Sequence, residues 1–245
     1  ATSSSGLQWT GASAPYSGNV YAWEAAKAVH AGMLAARLAA DGMTDGPEPL
    51  EGSNGWVRAY TNNHGRVEWL TEGLGEVYET GNIALKTRCS SHMVHLPIDT
   101  TYELVKEHSI QPDNVAKIIV RGQHWLGQYL WRLDVNNYQD AIFSLPYCIA
   151  LVILEPGNMT FPDQILKYIG NRDIERLMAR CELDVDPIVQ IRTQMPAKIT
   201  LETMDGRVLS KQSGDMARGT YPDLPLEQHD IENKFLRATE TFLGS

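Results

Sequence analysis

Cysteine is scarce in this chain, with three residues in 245: Cys89, Cys148 and Cys181. An odd count without paired spacing excludes a disulfide framework and a cysteine-based metal site, and it favours a reducing compartment, with the cytoplasm as the expectation. Long apolar runs are also lacking. A bilayer span needs about 18 or more consecutive apolar residues, and the best stretch, 141–154, is broken by Ser144, Pro146 and Tyr147, so no membrane role is expected. Basic charge is in short supply: 21 Lys and Arg stand against 30 Asp and Glu, for a net charge of −9. The cations are scattered, and the basic face that nucleic-acid phosphates require is missing. No period of about 20–50 residues marks a repeat array. There is no Gly-x-Ser-x-Gly elbow to supply an esterase nucleophile, and Gly65, beside Asn62, Asn63 and His64, lacks the spacing of a phosphate loop. Residues 1–18 are rich in Ser and Gly without the charged and apolar blocks of a signal peptide. With Ala1 at the front rather than Met, the natural start is expected upstream.

What the chain does contain is concentrated in 86–99, where Lys86, Arg88, His92 and His95 put two cations and two imidazoles into ten residues. Ser, Cys and Pro there read as a loop, the kind of segment on which a rigid scaffold carries binding groups. An acidic chain with one dense cationic loop points to a small anionic ligand. Around it the sequence divides into three zones. An alanine-rich run over 19–40 reads as one helix with small residues on most faces, buried against other helices and stopped by Asp41-Gly42; a shorter apolar segment follows at 67–77. From 86 to 214 the pattern is α+β. Pro97 opens a helix through about Lys106, and 115–120 is β-branched and reads as a strand. Apolar helices are expected over 140–154, started or kinked by Pro146, and over 173–181. Strands at 198–203 and 207–211 flank Met204-Asp205-Gly206, the turn chemistry of a hairpin. Helix returns at 227–242. The fold class is therefore α+β: a helical domain interrupted by a smaller α+β domain, with domains at 1–85, 86–214 and 215–245.

Several segments together resemble the MmgE/PrpD family of 2-methylcitrate dehydratases and cis-aconitate decarboxylases. Lys27-Ala-Val-His30-Ala-Gly32 is similar to a lysine-bearing helix motif of that family, and Gly42-Met-Thr with Leu50-Glu51-Gly52 to the segment after it. Lys86, His95 and Asp99 match the lysine, histidine and aspartate that lead into its second domain. The run from Asp140 to Tyr147 resembles its tyrosine-bearing helix, and Arg218 to Pro225 with Lys234-Phe235 its return to the helical domain. The motifs fall in order along nearly the whole chain.

The resemblance implies elimination of water or carbon dioxide from a small di- or tricarboxylate, in a cleft between a helical domain and a lid, in a dimer, with no metal or organic cofactor. Lys27, His30 and Lys86 are then expected to bind substrate. Lys27 and His30, three apart on a helix, point to one side. A lysine on an alanine-rich face otherwise has little to do but reach solvent. His92, His95 and Tyr147 are the catalytic candidates, since an imidazole titrates near neutrality and moves protons in both directions. Where many relatives carry Cys or His five residues after the lysine this chain has Ser91, with His92 one step further on, so His92 and His95 compete for one acid/base role. Relatives also carry a further helical portion ahead of this chain's beginning, with acidic and histidine groups of the site. A second polypeptide is therefore an expected partner, and the chain is not expected to work alone. Two alternatives need the same or fewer residues: an epimerase or isomerase of a dicarboxylate on this scaffold, and a noncatalytic subunit that binds a partner.

Overall fold

The computed structural model describes residues 20–157, 159, 161–186, 196–220 and 223–243. The chain divides into two compact units, one containing Asn19–Gly81 and the other Asn82–Ser245.

In the first unit, α1 (Val20–Ala40) and the short α2 (Trp56–Thr61) are followed by a 3-10 turn at Val67–Leu70. Alanine favours helix, and Gly42 ends α1 with φ 94°, as a C-terminal glycine does. The expectation that α1 is buried is not met. Val29 is 63% exposed and Met33 71%, and among the described residues of this unit Val57 is the only buried hydrophobic one. Alanine supplies little apolar area to bury, and the larger side chains of α1 find no core within their own unit.

The second unit holds the core. Its centre is α6 (Leu145–Leu154), in which every residue from Leu145 to Ile153 is buried. After the short α4 (His124–Tyr129), the continuous helix expected over 140–154 is split into α5 (Tyr138–Ile142) and α6. Ser144 takes the N-cap of α6, accepting from Tyr147 N at 3.1 Å, and Pro146, which has no N–H to give, sits in its first turn; both favour a new start over continuation. Asp140 is buried but satisfied by Arg132 and by the Asn136 N–H and Asn137 Nδ2.

Against α6 pack α3 (His95–His108) and α8 (Arg172–Met178), and α3 also lies on the sheet. Thr100 and Thr101 of α3 are buried because their hydroxyls return to the carbonyls of Leu96 and Pro97, both at 2.8 Å. The sheet has the order β2-β1-β3-β4, from β1 (Val115–Gly122), β2 (Cys181–Val185), β3 (Lys198–Thr203) and β4 (Val208–Gln212). Pairs β1–β3 and β3–β4 are antiparallel, and β1–β2 is parallel. A register shift between Val115 and Lys117 lets Val115 join Ile118 and Val120 on the buried face, the bending effect of a bulge. The opposite face carries the ion pairs Lys117–Glu182 and Arg121–Asp184. The hairpin is as expected, with Gly206 at φ 85°. The helix expected over 173–181 ends at Met178, and Cys181 opens β2 instead. A five-residue strand that pairs in parallel with a segment some sixty residues earlier leaves no local signature. The chain closes with α9 (Gln228–Leu243), which lies in the second unit by its contacts and exposes Phe235 and Leu236.

Candidate active site

The loop that carries Lys86, His92 and His95 is held from several sides. Ser91 N–H donates to Ile142 O at 3.0 Å, Cys89 N–H to Met159 O, and Val94 N–H back to Ser91 O at 3.1 Å. The last of these closes a 3-10 turn, His92–Val94, that runs directly into α3, so His95 is the first residue of that helix and Pro97 the third. The first turn of α3 holds no acidic residue, and its leading N–H groups are used by the 3-10 turn, Val94 N–H on Ser91 O and His95 N–H on His92 O.

Lys86, an exposed residue at the edge of the cluster, donates from Nζ to Ser90 O at 2.9 Å. The rings of His92 and His95 meet edge to face with centroids 5.1 Å apart. His95 is fully buried, and Ser90 is 2% exposed. Among the described residues Ser90 Oγ, His92 Nε2 and both ring nitrogens of His95 are buried without a hydrogen bond of good geometry. Buried polar atoms are nearly always paired, and four unpaired ones within six residues mark a place where an incoming polar ligand recovers energy already spent on desolvation. The electrostatics agree. Burial, then the His92 ring and the charges of Lys86 and Arg88, hold the His95 imidazole down at about 3, with the Ser90 backbone pulling weakly the other way. Burial and the Lys86 charge also lower His92. Both rings are neutral near pH 7, bases beside a cation.

Arg88 is committed to Asp99 at 2.6 Å and stacks over Tyr102 at 5.7 Å. Cys89 Sγ touches the Tyr138 hydroxyl at 2.6 Å, and burial pushes the Tyr138 phenol up. Burial also raises the thiols of Cys148 and Cys181, the latter to about 12, which removes them as nucleophiles. Among the described residues no three His, Cys, Asp or Glu converge as metal ligands, and no helix is long and apolar enough to cross a membrane.

The structure thus brings Lys86, His92 and His95 together. Tyr147 is engaged elsewhere: its hydroxyl is buried and donates to Ile165 O at 2.8 Å, bracing α6 against α7 (Pro162–Leu166). Lys27 and His30 belong to the first unit, where both are exposed on α1. Ser90 is the member of the cluster that sequence reading passes over. A serine in a loop carries no signal until its burial is known.

The loop is also fixed from the far end of the chain. Leu85 N–H donates to Gly219 O at 2.9 Å, and Lys234 Nζ donates to Lys86 O at 2.6 Å. Gly219 has φ 97°, and a Cβ there would lie 2.0 Å from Leu85 O. Substituting alanine at Gly219 should therefore cost at least about 2 kcal/mol, from left-handed strain plus a backbone collision, read as a drop in the denaturant midpoint.

No curated protein matches the chain. The family model described as the MmgE/PrpD C-terminal domain matches residues 89–245, well over half of the sequence, and its span takes in Ser90, His92, His95 and the return segment that holds Lys86. The chain belongs to the MmgE/PrpD family, a group of dehydratases and related lyases.

Proposed function

We propose that this chain carries the C-terminal part of the active site of a lyase that dehydrates or decarboxylates a small di- or tricarboxylate. The observation that carries the reading is the buried cluster of Ser90, His92 and His95, unpaired and beside the Lys86 ammonium. A carboxylate entering there neutralises Lys86, takes a donor from the Ser90 hydroxyl, and raises both imidazoles toward the range in which they accept a proton. In dehydration one imidazole removes the proton on the carbon next to a carboxylate. The C–H electrons form the double bond, and the hydroxyl leaves with a proton from an acid. In decarboxylation the C–C bond breaks, carbon dioxide departs, and the carbon takes a proton from an imidazolium. Lys86 stabilises the negative charge that builds on the carboxylate in either course, an effect that grows as water is excluded.

Lys27 and His30 are the further substrate contacts in this reading, and Tyr147 reaches substrate only by giving up its bond to Ile165. Each unit exposes large apolar side chains on a helix, Val29 and Met33 on α1 in the first and Phe235 and Leu236 on α9 in the second, and exposed apolar side chains of this kind favour a covering partner. In this reading a second polypeptide, supplying further helices and acidic groups, completes the enzyme.

The test incubates hydroxy di- and tricarboxylates in heavy water with the chain purified in its native complex, followed by proton NMR. Appearance of an alkene or loss of carbon dioxide supports the lyase. Deuterium entering recovered substrate without either loss assigns the site to isomerisation. Turnover that survives Lys27→Ala and Lys86→Ala unchanged assigns the chain a noncatalytic role. Full activity of the isolated chain as a monomer overturns the need for a partner.

A further inference from the structure

Residues 83–86 have no regular secondary structure, and a lysine on such a segment has a flexible stem with a large rotamer entropy. Nothing nearby in sequence directs its ammonium to Ser90. We infer that the return segment positions the site: Gly219 and Lys234 fix the backbone at Leu85 and Lys86, and so aim the Lys86 side chain into the imidazole cluster. The inference takes its functional meaning from the lyase reading of that loop, but its structural content stands apart from any turnover.

Two bonds from distant sequence bracket the lysine, Leu85 N–H to Gly219 O on one side and Lys234 Nζ to Lys86 O on the other, the second spanning 148 residues. With Lys86 Nζ on Ser90 O, the lysine is held at its carbonyl by Lys234 and at its ammonium by Ser90. Gly219 makes the approach possible, since any side chain there meets the Leu85 carbonyl.

Lys234 is itself anchored. Arg218 pairs with Asp230 in the first turn of α9, and Arg237, one turn beyond Lys234, lies over the Phe161 ring at 4.8 Å. Among the described residues Lys234 forms no ion pair. Asp99 and Asp230, which line the same cavity as Lys234, are engaged by Arg88 and Arg218, and the Lys234 ammonium donates to the Lys86 carbonyl. Lys234 is a positioning residue: it acts through Lys86.

The test uses amide hydrogen exchange and histidine ring NMR on the full 245-residue chain carrying Lys234→Met or Lys234→Arg. In the methionine variant, exchange at the Leu85 and Cys89 amides, bonded to Gly219 O and Met159 O, should speed up by about tenfold while amides of β1 and β3 keep their wild-type rates, the pattern of a local opening. The released Lys86 ammonium should move away from His92, whose midpoint then rises, because a nearby cation holds it down. Arginine, which still donates to the Lys86 carbonyl, should restore both readouts. Wild-type exchange at the Leu85 and Cys89 amides in Lys234→Met overturns the inference, as does acceleration shared equally with β1 and β3, which reports only a weaker fold. If the lyase reading fails, these readouts stand. If positioning fails and the lyase reading holds, Lys86→Met lowers kcat and kcat/KM of the complete enzyme while Lys234→Met leaves both at their wild-type values.

Discussion

Replacing Lys86 with methionine should lower kcat/KM of the complete enzyme by about a thousandfold, the cost of removing one preorganised charge from a site where negative charge develops. Methionine keeps the length and apolar stem of lysine and removes the ammonium, so the loss reports charge rather than packing. Most of it should fall on kcat, because the carboxylate gains charge between ground and transition state. The same substitution removes a repulsion from both imidazoles, since the Lys86 charge depresses His92 and His95 alike. Their proton affinities should therefore rise as activity falls. A chain in which Lys86 is only a solvated surface charge would show neither change.

Histidine at position 95 should make the fold acid-sensitive. The ring titrates at about 3 when folded against an ordinary 6.5, so between these values the unfolded chain binds a proton that the folded chain refuses. Stability is complete above pH 6.5 and is lost as pH falls toward 3. At about 1.4 kcal/mol for each pH unit, the deficit should reach roughly 3 kcal/mol at pH 4. His95→Leu should abolish that increment and, by removing two unpaired buried nitrogens, stabilise the fold at neutral pH by about 1–2 kcal/mol. Activity should be lost with it. Denaturant unfolding of wild type and variant at pH 7, 5 and 4 separates this slope from that of the carboxylates, which both chains share. A constant difference across the three pH values would mean that His95 is charged or solvated in the folded state.

The cost borne at His95 explains why the site was only half legible in the sequence. The density of cations and imidazoles in 86–99 is a local property, and the loop stood out on that ground alone. So did α1, α3, β1 and the hairpin β3–β4, whose periodicity and turn residues are local. What stayed hidden depends on distant pairing. The strand β2 is defined by its parallel neighbour β1, and the break before α6 by a serine cap that competes with an apolar run. The roles of Ser90, Gly219 and Lys234 follow from contacts made across the fold, in the case of Lys234 with a residue 148 positions away. The apolar composition of α1 suggested burial and met exposure, because a hydrophobic stripe specifies that it must be covered and does not specify by what.

The measurement that bears most directly on the account is a titration of the histidine rings by NMR in the native complex, with and without tricarballylate, an unreactive tricarboxylate. Bound carboxylate beside Lys86 should raise the His92 midpoint and shift the His95 ring resonances, and both effects should vanish in Lys86→Met. If saturating tricarballylate leaves the two rings unchanged, or changes them equally without Lys86, the loop at 86–95 is not the carboxylate site.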